Sequence, residues 1–305
     1  MKVLMISGDI NILSTGSGAR ARLELQRGQV EQLDVFVWPQ VHARRKILLD
    51  ARQNAYDIVT AQDPFWRGFF ALRIARRTGA KLNLQVHTDL SAQNVFRRML
   101  ASLLLRRADS VRVVSEKIQG QVRALGVKVP VHVLSVYVDI QPFKNLVPQP
   151  HNQKTILWIG RFEAEKDPLA AIDVLKKVRA EGISAKLVML GAGSLEPMLR
   201  KSTEILPIEF PGWHDPKPYL QTADVVLSTS RHESWGASII EALAAGVPVV
   251  APDVGIAREA GAVVVPRTEL ASAVLKVLRS SERGVLKMVI PSADEWARAW
   301  QATLV

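Results

Sequence analysis

Along the first half of the chain, short apolar runs alternate with longer stretches whose apolar positions recur at helical spacing. The runs Lys2–Ser7, Leu33–Trp38, Asp57–Ala61, Lys81–His87, Ser110–Ser115 and Val131–Val136 predict buried strands. Between them, helices are predicted over Ala19–Gln29, Val41–Arg52, Trp66–Thr78, Asn94–Arg107 and Glu116–Leu125. Regular β–α alternation predicts a doubly wound parallel sheet. The pattern fails around Pro142–Gln153, where Pro142, Pro148 and Pro150 stand in a polar stretch, and this reads as an interdomain linker.

The alternation then restarts. Strands are predicted at Thr155–Gly160, Lys186–Leu190, Ile208–Phe210, Val225–Ser228, Pro248–Ala251 and Val263–Val265. Helices are predicted at Pro168–Glu181, Leu195–Lys201, Pro216–Gln221, Ser238–Ala245 and Glu269–Ser280. In the tail, Trp296 and Trp300 fall at i, i+4 spacing, a stripe that must pack on something. The expected division is residues 1–147 and 148–291, both α/β, with a helix over 292–305 packing back on the first domain.

Composition narrows this. At 305 residues and 48% hydrophobic content, two domains with real cores are affordable. No cysteine is present, so disulfides and thiolate metal sites are excluded and a reducing compartment is expected. The opening apolar run is too short for a signal peptide, and Arg or Lys interrupts every apolar segment before it reaches membrane-spanning length. A cytoplasmic location follows as the expectation. Residues 1–150 carry 22 Lys/Arg against 11 Asp/Glu, and the remainder 18 against 18, so the first half holds the whole +11 charge. A negatively charged partner for that half is expected.

The segment Arg231-His232-Glu233-Ser234-Trp235-Gly236-Ala237-Ser238-Ile239-Ile240-Glu241 follows a predicted strand and runs into a helix. Two glutamates eight positions apart thus fall at the carboxyl end of a parallel strand, where open α/β sheets hold ligands. The pattern points to a sugar- or nucleotide-binding crevice. Arg161 and Lys166 ride the loop after another strand and could take a diphosphate, one as a fork and one as a point charge; a solvated charged loop also fits them. Gly191 and Gly193 end a third strand, permitting close ligand approach or simply a turn. Gly16 and Gly18 open the first helix, seating a phosphate or making a plain turn. The string Gly16-x-Gly18-x-x-Ala21 is too far from Ser7, and lacks an acid after the second strand, for a dinucleotide fingerprint. No Asp-x-Asp or paired His occurs, so no metal is expected. Two acids from one short segment beside cations do not suit a glycosidase, whose carboxyls flank one bond.

Together, Gly160-Arg161 with Glu165-Lys166, Gly191-x-Gly193, Glu233-x7-Glu241 and Glu241-Ala242-Leu243-Ala244-Ala245-Gly246-Val247-Pro248 resemble the donor domain of the retaining GT-B glycosyltransferases of family four. The likeness covers about Thr155 to Gly261. In the first half it is carried more thinly by the glycine loop, Gln85-Val86-His87-Thr88-Asp89, Val113-Val114-Ser115-Glu116 and Val138-Asp139. The resemblance implies two facing Rossmann-like domains with parallel sheets and an interdomain cleft. It also implies transfer of a sugar, with retention, from a nucleotide-sugar donor to an acceptor hydroxyl on a glycan or lipid-linked molecule, without metal or other cofactor. Arg161 and Lys166 would neutralise the leaving diphosphate. Glu233 would hold the sugar hydroxyls, Glu241 the ribose, and the Trp235-Gly236-Ala237-Ser238 backbone would donate to sugar or phosphate. His87 would stand near the reacting carbon, though a lone His at a strand end equally fits a core position. The chain departs from the family in its short length, its Gly-Ser-Gly loop and its Ser234-Trp235. A nucleotide-sugar epimerase of the same architecture and a non-catalytic sugar-nucleotide-binding relative are the alternatives.

The first half has one further feature. Asn94–Arg107 reads as a basic helix with a large apolar side, and Arg44-Arg45-Lys46 and Arg76-Arg77 add positive clusters. Such a helix could lie on an anionic membrane, making the protein peripheral on the inner face; its leucines could instead form a core face. Aromatics are not interleaved with the basic clusters, so nucleic acid is not expected as a partner.

Overall fold

The computed structural model describes residues 1–38, 54–201, 206–280 and 282–305. The helix expected over Val41–Arg52 and the Arg44-Arg45-Lys46 cluster lie outside them. The chain divides into two compact units, Met1–Tyr137 with Pro291–Val305, and Val138–Ile290.

In the first unit, β1 (Lys2–Ser7), β2 (Gln32–Val37), β3 (Ile58–Gln62), β4 (Lys81–Val86), β5 (Ser110–Val113) and β6 (Val131–Val133) form one parallel sheet in the order β2-β1-β3-β4-β5-β6. Val3, Met5, Ile6, Val59, Leu84 and Val111 are fully buried because the sheet is covered on both faces. Helices Gly18–Arg27, Val95–Leu105 and Glu116–Ala124 start at Ser17, Asn94 and Ser115, whose side chains accept from the backbone N–H three residues on. Helix Trp66–Thr78 ends at Gly79, which takes the left-handed conformation at φ 77°.

One face of this sheet is closed by the tail. Helix Ala293–Ala302 opens with a capping box between Ser292 and Glu295. Its Trp296 and Trp300 are fully buried in a core with Val3, Met5, Leu23 and Ile58. The Trp296 indole donates to the Ser135 carbonyl at 2.8 Å, and the buried Asn83 amide donates to the Thr303 carbonyl at 2.8 Å.

In the second unit, β7 (Lys154–Ile159), β8 (Ala185–Leu190), β9 (Ile208–Gly212), β10 (Val225–Leu227), β11 (Val249–Ala251) and β12 (Val263–Val264) form a second parallel sheet in the order β12-β11-β10-β7-β8-β9. The first strand in sequence, β7, sits centrally and the order reverses beside it, between β7 and β10. Ligands of open α/β sheets bind at such a reversal, beyond the strands' carboxyl ends. Helices Pro168–Ala180 and Leu270–Arg279 bury Ile172, Leu175, Val274 and Leu278 in one core with β7 and β8.

Part of the stretch read as linker is ordered. Gln141–Lys144 is a short helix with Phe143 buried. Pro142 stands in its first turn, where the missing N–H is no loss, so the proline starts a helix here instead of breaking one.

Candidate active site

The loops leaving β10, β7 and β8, three neighbouring strands, carry most of the residues singled out above. Three glycines knit their roots together. The Gly160 N–H donates to Leu190 at 3.0 Å, Phe162 N–H to Ala192 at 2.9 Å, and Gly191 N–H to Gly212 at 2.9 Å. A Cβ on Gly191, at φ 150°, would run into the Gly160 carbonyl, and one on Gly193 would meet the Phe162 carbonyl at 2.6 Å. Close backbone approach between strand ends is thus the role the structure gives both. Glu163 adds a side-chain tie: it accepts from the Ser194 N–H at 2.9 Å and hydroxyl at 2.7 Å, which lowers its pKa.

Lys166 and Glu233 meet. The ammonium is ion-paired with Glu233 Oε1, and the Ser230 hydroxyl donates to the same oxygen at 3.0 Å. Their side chains are only 18% and 16% exposed, so both charges are largely withdrawn from water and hold one another. Arg161 does not join them. It pairs with Glu165 at 2.7 Å and is 63% exposed, an i, i+4 pair at the rim of the loop.

Behind Lys166 lies a clamp that sequence reasoning missed. Asp167 adopts φ 48° and ψ 59°, a left-handed conformation that a non-glycine residue holds only when its surroundings impose it. Its carboxylate accepts from Arg231 Nη2 at 2.9 Å and from Arg267 Nη2 at 2.5 Å. Arg267 also donates to the Thr229 carbonyl. The Thr229 hydroxyl lies 2.9 Å and 2.8 Å from the Lys166 and Asp167 carbonyls, and accepts from the Trp158 indole at 2.9 Å. These ties fix the backbone on which Lys166 stands. Thr229 and Arg231 could have been suspected from their place after a strand; Arg267, a hundred residues from Asp167, left no signal.

Arg267→Met is therefore expected to lower any turnover that uses Lys166 about tenfold while the fold survives, through kcat more than KM, because Lys166 is misplaced and not removed. Steady-state kinetics beside circular dichroism decide this; unchanged kcat would leave the clamp a stability element only.

Gly236, at φ 114°, turns the chain into helix Ala237–Ala244. Among the described residues, the N–H groups of Trp235, Gly236, Ala237 and Ser238 have no acceptor. They form a set of free donors at the positive end of the helix. The Trp235 carbonyl accepts from Ile256 at 3.0 Å, and its buried indole N–H has no partner among the described residues. Gly255, at φ 53°, presses against that carbonyl. The carboxyl of Glu241, on the fifth position of the helix, has no hydrogen bond or ion pair among the described residues. Burial first, and the charge of Asp215 second, push its pKa up to about 7.

His87, Gly16 and Gly18 belong to the first unit. Gly16 adopts φ 80° with open space where a Cβ would stand, and Gly18 begins the first helix after Ser17. His87 Nε2 lies 3.2 Å from Gln85 Oε1, an oxygen that also takes a bond from Arg112 at 2.9 Å. That oxygen only accepts, so Nε2 carries the hydrogen and Nδ1 is left free to accept. Burial, then the charge of Arg112, depress the His87 pKa to about 3, so the ring is neutral near pH 7.

Solved structures share this pair of parallel-sheet units. Sucrose-phosphate synthase from Thermosynechococcus elongatus aligns with 100% of the chain and 95% of its own length at TM-score 0.73 and 16% identity. The lipopolysaccharide outer core galactosyltransferase WaaB aligns over 99% and 95% at TM-score 0.67 and 16% identity. The fold is GT-B. Residues 13–136 match the glycosyl transferase 4-like domain and residues 153–280 the glycosyl transferases group 1 family. The chain belongs to the group 1, family-four-like glycosyltransferases. Among curated relatives, a GDP-mannose-dependent alpha-(1-6)-phosphatidylinositol dimannoside mannosyltransferase of Mycobacterium tuberculosis is 35% identical over 102 residues, 32% of this chain and 27% of that protein. Alpha-monoglucosyldiacylglycerol synthase of Streptococcus pneumoniae is 26% identical over 237 residues, 68% of this chain and 54% of that one. The chain thus spans between about a quarter and about half of these relatives' lengths.

Proposed function

We propose that this chain transfers a hexose from a nucleotide-sugar donor to an acceptor hydroxyl with retention of anomeric configuration, the second unit holding the donor. The observation that carries this is the Lys166–Glu233 pair at the sheet's reversal point, beside four unclaimed backbone N–H groups and an unpartnered Glu241. Lys166, with Arg161 swinging in from the rim, neutralises the departing diphosphate. Glu233 holds the hydroxyls of the transferred sugar, and Glu241 takes the ribose hydroxyls. The Trp235–Ser238 donors take phosphate or sugar oxygens, while Gly191 and Gly193 keep the floor low. In the first unit, neutral His87 is assigned a role toward the transferred sugar, and Gly16 and Gly18 a role toward phosphate. Side-chain cations do the charge work, so activity is expected without added metal.

The curated relatives named above act on lipid-borne acceptors by their names, and the first half of this chain carries all of its net positive charge. A lipid-linked acceptor met at an anionic membrane surface fits both, with the protein peripheral on the cytoplasmic side. No helix among the described residues is long and apolar enough to cross a membrane.

Thermal-shift measurements against UDP-, GDP- and ADP-sugars are expected to give one donor that raises the melting temperature selectively, since a ligand of the native state stabilises it by mass action. With that donor, product analysis without acceptor separates transfer from epimerisation. A shift from no donor would sink the reading; a shift with no turnover across acceptors would leave a binding protein.

A further inference from the structure

The helix Val95–Leu105 has two apolar faces. Ala101, Leu104 and Leu105 are buried in the first unit's core, as a domain helix requires. The opposite face is exposed, with Val95 at 71%, Phe96 at 64%, Met99 at 67% and Leu103 at 49%. Single exposed apolar residues are ordinary, but four on one short helix are not. Val95, Met99 and Leu103 follow one another at i, i+4, i+8 and make a continuous strip. They floor a shallow groove of about 730 Å³ whose walls include Arg98, Arg106 and Leu125. Trp66 and Phe69, 60% and 38% exposed, lie on the adjoining helix Trp66–Thr78, and Arg97 stacks on Phe65 beside them at 4.1 Å.

Charge identifies what covers the strip. No acidic residue occurs from Asn94 to Arg107. Arg97, Arg98, Arg106 and Arg107 all stand exposed, and none has a carboxylate partner among the described residues. Arg106 and Arg107 use one nitrogen each on the Leu125 and Leu103 carbonyls, at 2.8 Å and 2.9 Å, which holds their stems along the apolar strip. A second copy of the chain would bring like charges together and is disfavoured. An anionic surface with an apolar interior satisfies both features at once: the strip sinks to acyl depth while the guanidinium groups reach up to lipid phosphates.

We propose that the exposed face of Val95–Leu105 is a docking surface for an anionic lipid bilayer, with Val95, Phe96, Met99 and Leu103 inserting and Arg97, Arg98, Arg106 and Arg107 pairing with headgroup phosphates. This deepens the reading of a membrane-borne acceptor and rests on it for its purpose, although the binding itself needs no glycosyl transfer. The test is co-sedimentation of the full chain, without donor, with vesicles of phosphatidylcholine alone or mixed with phosphatidylglycerol. The wild type is expected to pellet with the mixed vesicles only, and less so as salt rises. The triple variant Val95→Asn, Met99→Gln, Leu103→Gln is expected to stay in the supernatant. A second variant, Arg98→Gln with Arg107→Gln, is expected to bind roughly 25-fold more weakly, about fivefold for each arginine. Both variants keep the wild-type melting temperature and donor-induced shift, because every changed side chain is exposed. Wild type that ignores mixed vesicles at low salt, or variants that bind like wild type, would overturn the proposal. A wild-type dimer that the triple variant turns into monomer would overturn it too and give the face to a second copy. Loss of vesicle binding with transfer onto a soluble acceptor intact counts against no part of the catalytic reading, whereas absent transfer with vesicle binding intact counts against that reading alone.

Discussion

Lys166→Met is expected to lower kcat/KM for the nucleotide-sugar donor by about a thousandfold, the scale seen when one preorganised charge partner of a transition state is removed. The lysine is the only cation ion-paired with Glu233 among the described residues, and the Asp167 clamp fixes the backbone beneath it. Its ammonium already leans on Glu233, so a bound diphosphate would share it with a carboxylate held in place by Ser230. Charge that develops on the leaving phosphate is then met without reorganisation. Lys166→Arg keeps the charge but not the point-like geometry, and an intermediate loss is expected. Arg161→Gln should cost far less, about tenfold, because that guanidinium sits at the rim with Glu165 and must swing to contribute. Steady-state kinetics of the three variants settle the order; a Lys166→Met enzyme within a few-fold of wild type would remove the lysine from the reaction.

Glu241→Gln is expected to stabilise the ligand-free protein and to weaken donor binding. With a pKa of about 7 against an ordinary 4.5, the folded chain holds the Glu241 proton more tightly than the unfolded chain does. The stability linked to that proton is fully present below about pH 4.5 and is lost as the pH rises through about 7. At pH 8 the buried carboxylate therefore burdens the native state by about 3 kcal/mol or slightly more, the size of the shift at 1.36 kcal/mol per unit. Glutamine removes the charge and keeps the shape. Its melting temperature at pH 8 should exceed that of wild type by roughly 7 °C, and the gap should close by about pH 4. Donor affinity at pH 8 should fall about 10–100-fold, since a charged acceptor for two ribose hydroxyls becomes a neutral one. Melting curves at the two pH values and calorimetric titration of the donor measure both. Equal melting temperatures at pH 8 would mean the carboxylate is not held in an apolar setting; unchanged affinity would take it off the ribose.

Much of this was legible in the order of residues. The strand runs were readable because a strand covered on both faces is apolar throughout. The turn into the helix was readable because Gly236 follows Trp235 there, and the structure has Gly236 at φ 114° just before Ala237. What failed to show had physical causes. Pro142 reads as a breaker unless its place in a first turn is known. Arg161 and Lys166 look alike on one loop, yet only Lys166 folds inward, because Asp167 is pinned by Arg231 and by the distant Arg267. Leu100, Leu103 and Leu104 made Val95–Leu105 look like an ordinary core helix, yet Leu103 is 49% exposed and Leu105 takes its place in the core. The core reading holds for Leu104 and Leu105, while the opposite side of the same cylinder stays exposed at Val95, Met99 and Leu103.

The last helix of the chain carries Trp296 and Trp300 into the core beside the opening strand. During synthesis the ribosome therefore delivers the first unit's sheet long before the piece that seals one of its faces. The second unit, contiguous from Val138 to Ile290, can finish folding in the interval, while Met5, Leu23 and Ile58 wait uncovered. A nascent chain stalled before Pro291 should consequently attract chaperones through its earliest residues, not its latest.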